Sequence, residues 1–138
     1  MDINDLILSD EALAVIDAGA WVDMDDEAPG VELLVVGLQS EEARKATRYK
    51  QAMARKKNRG KELSDEQHAT IMKEVLSEVV LRGWRGLKNN GEPVEYSKEL
   101  AHQWITSRNG EKFTGLVLAA AQRLDAQANE FVEEVAKN

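Results

Sequence analysis

The chain has 138 residues, 43% of them hydrophobic and 31% charged, with a net charge of −7. This is too apolar for wholesale disorder, and the length suits a single domain, residues 1–138. No apolar run approaches the roughly 20 residues of a membrane-spanning helix, and the absence of cysteine excludes disulfides, thiolate metal sites and a Cys nucleophile.

Only His68 and His102 are present, too few for a metal site built on several histidines. The acidic opening Met1-Asp2-Ile3-Asn4-Asp5 lacks the basic start of a secretory or transit peptide, so a cytoplasmic protein is expected. The charge is unevenly spread. Residues 1–43 hold 12 acids and no Lys or Arg, whereas residues 44–61 hold nine bases and no acid.

In chain order, Ser9 with Asp10 and Glu11 predicts a short helix through Ile16 that ends at Gly19. Residues 20–24 and 31–36 are rich in β-branched and aromatic side chains and are separated by Pro29-Gly30. They predict the two strands of a small antiparallel hairpin over about 20–38. A lone hairpin is barely stable in water, so a helical layer must cover it.

Ser40 caps a helix that runs to about Lys57, with Ala43, Ala46, Tyr49 or Lys50, and Met53 as a thin apolar stripe and a basic opposite face. Asn58-Arg59-Gly60 stops it. Ser64 and Gln67 form a capping box. Behind it Ile71, Met72, Val75, Leu76, Val79, Val80 and Trp84 predict one central helix from Ser64 to about Arg85. Asn90-Gly91 is a turn signal, with an extended return after Pro93. Ser97 caps a helix from Lys98 to about Thr106, and Ser107–Gly110 breaks it. A last helix is predicted from near Glu111 almost to Asn138, with Phe113, Leu116, Val117, Ala120, Leu124, Ala128, Phe131 and Val135 inward. The expected fold is therefore α+β, mainly α-helical: a helical core with one small N-terminal β-hairpin.

No catalytic, cofactor or metal set stands out. Neither histidine has a neighbour that would orient it as a base. Asp23, Asp25, Asp26 and Glu27 lack the spacing and terminal Glu of a calcium loop. No phosphate-binding Gly-rich loop is present. Trp21, Trp84 and Trp104 fall on apolar faces, with Trp21 also a candidate exposed anchor for a partner. The candidate partner-binding residues are Arg44, Lys45, Arg48, Arg55, Lys56, Lys57, Arg59 and Trp21. The basic run has two readings. Either its charge answers the acidic third, in the same protein or a neighbouring subunit, or it meets an anionic partner such as an acidic protein or nucleic acid. A nucleic-acid-associated regulatory module using residues 44–61 is the alternative functional class. The acidic total and the lack of aromatic residues between Lys50 and Lys61 argue against it.

Several patches share an order with a known family. These are Ala20-Trp21-Val22-Asp23, Pro29-Gly30-Val31-Glu32-Leu33 and Val36-Gly37-Leu38, then Ala43-Arg44-Lys45-Ala46 through Arg59. Glu78 to Trp84-Arg85-Gly86-Leu87, Asn90-Gly91-Glu92-Pro93-Val94, Tyr96-Ser97 and a closing Ala136-Lys137-Asn138 follow. Over about residues 20–138 the sequence resembles the small tail assembly chaperones of long-tailed, siphovirus-type bacteriophages and prophages. The resemblance implies a non-enzymatic protein that binds and solubilises the tape measure protein and helps tail tube subunits polymerise around it. It implies work in the host cytoplasm, absence from the mature virion and self-association. It also implies a longer form made by ribosomal frameshifting near Lys137-Asn138. No membrane is implied as a partner, and no partner-binding residue carries over.

Overall fold

The computed structural model describes residues 1–137, with side chains described through Glu134. Val135, placed on the last helix's apolar stripe by the sequence, and the Lys137-Asn138 end lie outside the described side chains.

Helix α1 spans Asp10–Ala18, with the Ser9 hydroxyl accepting from the Ala12 amide as its N-cap. Strands β1 (Ala20–Asp23) and β2 (Glu32–Val35) pair antiparallel, Trp21 opposite Leu34. Alternation does the sorting. Val22 and Leu33 are buried on one face, while Trp21 and Leu34 are half-buried on the other. Helix α2 (Glu41–Lys57) starts at the Ser40 cap and ends at Asn58, where Arg59 and Gly60 take positive φ. Helix α3 (Asp65–Val75) opens on the reciprocal Ser64–Gln67 capping box.

The structure corrects the central helix. Regular α geometry ends at Val75, a five-residue π-type turn covers Leu76–Val80, and Leu81–Arg85 is a strand, β3. It pairs antiparallel with β2, so the hairpin is two strands of a three-stranded sheet in the order β1-β2-β3. The continuous apolar run Val79-Val80-Leu81 satisfies a buried helix and a buried strand alike, so periodicity cannot separate them. Pairing with β2 decides. Val35 faces Leu81 and Leu33 faces Trp84 on the buried side, with an irregularity at Leu34/Val35. The five residues expected inward, Val75, Leu76, Val79, Val80 and Trp84, are all buried.

A tight two-stranded hairpin follows, β4 (Lys88–Asn89) and β5 (Glu92–Pro93), turning at Asn90 and Gly91 with φ of 52° and 82°. Two consecutive positive φ values are what a type I′ turn requires. Helix α4 spans Lys98–Thr106 under the Ser97 cap. The closing helix is broken, a second correction: α5 covers Glu111–Ala126 and α6 covers Ala128–Lys137. The break falls at Gln127, whose φ of −120° leaves the helical region, and lets α6 turn back to pack on α1. There Ala128 joins Ala12 and Ile16 in a small satellite core.

The main core lies between the inner face of the sheet and helices α3, α4 and α5. Its centre is aromatic. Trp84 stacks on Trp104 at 5.1 Å and meets Tyr96 and Phe113 edge-on at 4.9 and 5.8 Å. Such pairs add about 0.5–1.5 kcal/mol beyond area burial. The indole N–H of Trp84 donates to the Val94 carbonyl at 2.8 Å, and the Tyr96 hydroxyl donates to the Leu81 carbonyl at 3.2 Å. One half-buried carboxylate positions the start of α2. Asp125 of α5 accepts from the Leu38 and Gln39 amides at 2.9 and 3.2 Å. Burial holds its pKa above the ordinary value, and these two bonds partly offset the shift.

Candidate partner-binding surface

Helix α2 is the element that carries the site. Its inward line is Ala43, Ala46, Lys50 and Ala54: of the alternatives Tyr49 or Lys50 it is Lys50 that faces in, and Met53, also expected there, faces out. Lys50 can face inward because Glu74 and Glu78, one turn apart on the α3 side, receive it at 2.9 and 3.0 Å. The bond to Glu74 is the main reason that its pKa is raised. With Lys50 turned in, Tyr49 and Met53 turn out, 67% and 42% exposed. They border a groove of about 470 Å³ between α2 and α3, floored by Ala54 and Ile71 and edged by Lys57, Glu66 and Gln67.

Arg44, Lys45, Arg48, Arg55, Lys56, Lys57 and Arg59 are all exposed on α2 and its C-terminal stop. Among the described residues none of them makes an ion pair within 4 Å. Three acids of the N-terminal third are engaged elsewhere: Glu27 with Arg123, Glu32 with Arg85 and Glu42 with Arg82. The first turns of α2 sit near acids, where Asp17 and Glu41 share shallow clefts with Arg44, Lys45 and Arg48, and Lys57 shares the groove edge with Glu66. Among the described residues no ion pair within 4 Å therefore answers the charge of 55–61. Bases at the C-terminal end do interact favourably with the helix dipole, which explains their tolerance there but leaves their charge free for a partner.

Trp21 is not brought to this surface. It lies on the outer face of the sheet, with the Arg85 guanidinium 3.7 Å above its ring and Glu32 3.8 Å from Arg85. Gly83 opposite leaves room for the ring edge. This cation–π cover is a half-buried packing arrangement, separate from the basic helix.

The other sequence candidates take structural places. Asp23 accepts from the Asp25 amide and Asp25 from the Gly30 amide, both at 2.8 Å, so these acids shape the β1–β2 connection. His68 is exposed; His102 is exposed with Nδ1 3.3 Å from the Ser77 hydroxyl. Among the described residues no helix is long and apolar enough to cross a membrane.

A family model described as YdaY prophage protein matches residues 38–138. The chain belongs to the YdaY prophage protein family. The match contains every basic candidate from Arg44 to Arg59 and both walls of the α2/α3 groove; α1, the β1–β2 hairpin and Trp21 lie before it. Membership in the YdaY family makes this a prophage protein. No curated protein and no solved structure matches the chain. Sequence reasoning found the basic run but missed the groove. The available signal was Glu74 and Glu78 at i, i+4, a pair of acids able to draw one lysine of the basic helix inward.

Proposed function

We propose that this prophage protein is a non-enzymatic tail assembly chaperone that binds and solubilises the tape measure protein and promotes tail tube polymerisation around it. The observation that carries this reading is the exposed Tyr49–Met53 edge of the α2/α3 groove, beside exposed bases that make no ion pair among the described residues. A groove between two helices, with Tyr49, Met53, Ala54 and Ile71 as apolar lining beside the Lys50–Glu74 pair, suits the apolar stripe of an amphipathic partner helix. The prophage family and the order of short patches shared with tail assembly chaperones support the same reading. A tape measure protein is long and helical, and its stripe is uncovered until the tube closes around it. Covering that stripe prevents non-specific association. One small domain covers little length, so several copies per client chain are expected, with avidity from neighbour contacts. The tail tube protein is a second partner in this scheme, reached through a frameshifted longer form, and the work takes place in the host cytoplasm before the virion is complete.

The test is co-expression with the tape measure protein of the same prophage. A soluble complex with several copies per client chain is the expected result. A client equally soluble without this chain, with no complex surviving gel filtration, contradicts the proposal. Tight binding to random duplex DNA at physiological salt would favour a nucleic-acid module instead.

A further inference from the structure

The first eight residues carry an apolar patch with nothing over it among the described residues. Ile3, Leu6 and Ile7 are 59%, 67% and 62% exposed. Their i, i+3, i+4 spacing around the 3-10 turn Ile3–Asp5 gathers them on one side. Asp2 and Asp5 flank them, and no Lys or Arg precedes Arg44. Asp2 also accepts from the Asn4 amide at 2.9 Å, which holds the turn in shape and leaves the carboxylate in solvent. This segment borders Asn129 of α6, whereas the groove described above is walled by α2 and α3. It does not cover its own groove.

The α2 edge of that groove has the opposite charge and a matching layout. Tyr49 and Met53 follow one another at i, i+4, with Lys45 one turn before them and Lys56 and Lys57 one turn after. An acid-flanked apolar turn and a cation-flanked apolar stripe are complementary in both respects that govern weak docking, buried apolar area and charge. We infer that residues Met1–Leu8 of one copy dock in the α2/α3 groove of a second copy. Ile3, Leu6 and Ile7 lie against Tyr49, Met53 and Ala54, and Asp2 and Asp5 face Lys56 and Lys57. Glu66 on the far rim repels the segment's acids and orients them toward the lysines; Glu74 is already held by Lys50.

The two surfaces differ, so the contact is heterologous and a pair of copies still offers one free segment and one free groove. Association then runs head to tail unless the rotation closes a ring. A segment of eight residues covers less than the roughly 1,200 Å² of a standard interface, so the contact is weak and reversible. Its charged part is screened by salt. A client that needs the groove displaces the segment. The inference itself does not depend on the client's identity.

The test is sedimentation velocity of the full chain alone, over a range of concentrations at low and high salt. Wild type is expected to associate beyond the dimer with rising concentration, and less at high salt. Leu6→Asp/Ile7→Asp and Tyr49→Asp/Met53→Asp alter only exposed side chains. Each is expected to keep the wild-type melting temperature and to associate at least about tenfold more weakly. An equimolar mixture of the two should stop at a heterodimer, because one intact segment and one intact groove remain. Lys56→Glu/Lys57→Glu should weaken association, and adding Asp2→Lys/Asp5→Lys to the same chain should restore it. A wild type that stays monomeric throughout overturns the proposal. So does either apolar variant associating like wild type, a mixture that forms no heterodimer, or a charge swap that restores nothing.

Discussion

Trp84 joins three parts of the chain that are distant in sequence: its strand β3, the Val94 carbonyl after the β4–β5 hairpin, and the rings of Trp104 and Phe113 on α4 and α5. Trp84→Ala removes the ring and leaves a cavity, and the expected loss is about 3–5 kcal/mol in urea unfolding. Trp84→Phe keeps a ring but leaves the Val94 carbonyl without its donor, at an expected cost of about 1–3 kcal/mol. A smaller effect for the alanine than for the phenylalanine would contradict this placement. Gly86 is a second residue with no substitute. Its φ is 84°, and a Cβ there would collide with the Gly30 carbonyl, so β3 ends directly against the turn between β1 and β2. Gly91 has nearly the same φ in open space. Gly86→Ala is therefore expected to lower the melting temperature well beyond Gly91→Ala, which carries the backbone strain alone, about 1 kcal/mol. Lys50 supplies a pH signature. Its pKa is raised in the folded protein above the ordinary 10.5, chiefly by Glu74. The folded state thus binds more protons than the unfolded chain in that range, so the contribution of Lys50 is complete below 10.5 and is lost as pH rises through the folded value. Wild type is expected to exceed Lys50→Met by up to about 1 kcal/mol near neutral pH. The gap should close above pH 10.5. A gap that widens with pH would have the wrong sign.

The helix ends were legible wherever the cap is a local chemical signature. Ser40, the Ser64–Gln67 box, Ser97 and Asn58-Arg59-Gly60 mark boundaries that α2, α3 and α4 respect. Ser64→Ala breaks one half of the box and is expected to cost about 1 kcal/mol by thermal melt. What was not legible depends on partners far away in sequence. Nothing near Leu81 announces that β2 is waiting to pair with it, and the same apolar run fits a helix. The break at Gln127 has no proline or glycine to mark it; the α1–α6 contact gives the turned-back helix somewhere to pack. The candidate site divides in the same way. Its bases were visible as a charge run, but the outward turn of Tyr49 and Met53 follows from the inward turn of Lys50, and that rests on two acids of the following elements.

Across the whole molecule, the net charge of −7 hides a division of labour. Acids of the first third pair with Arg82, Arg85 and Arg123, which tie α2, the sheet and α5 together. The bases of 44–61, Lys50 apart, remain open to solvent. Exposed charges without partners contribute little to stability. Charge reversal at Arg55, Lys56, Lys57 and Arg59 is therefore expected to leave the melting temperature within a few degrees while weakening partner binding, most visibly at low salt. A collapse of the fold would mean that these side chains are structural. The central claim is that this prophage protein acts through the α2/α3 surface as a cover for apolar helices. The direct measurement is the soluble fraction of the tape measure protein of the same prophage, co-expressed with wild type or with Tyr49→Asp/Met53→Asp at equal levels of the two proteins. The expected result is a soluble client with wild type and an aggregated one with the folded double variant. Equal solubility with both proteins would contradict it.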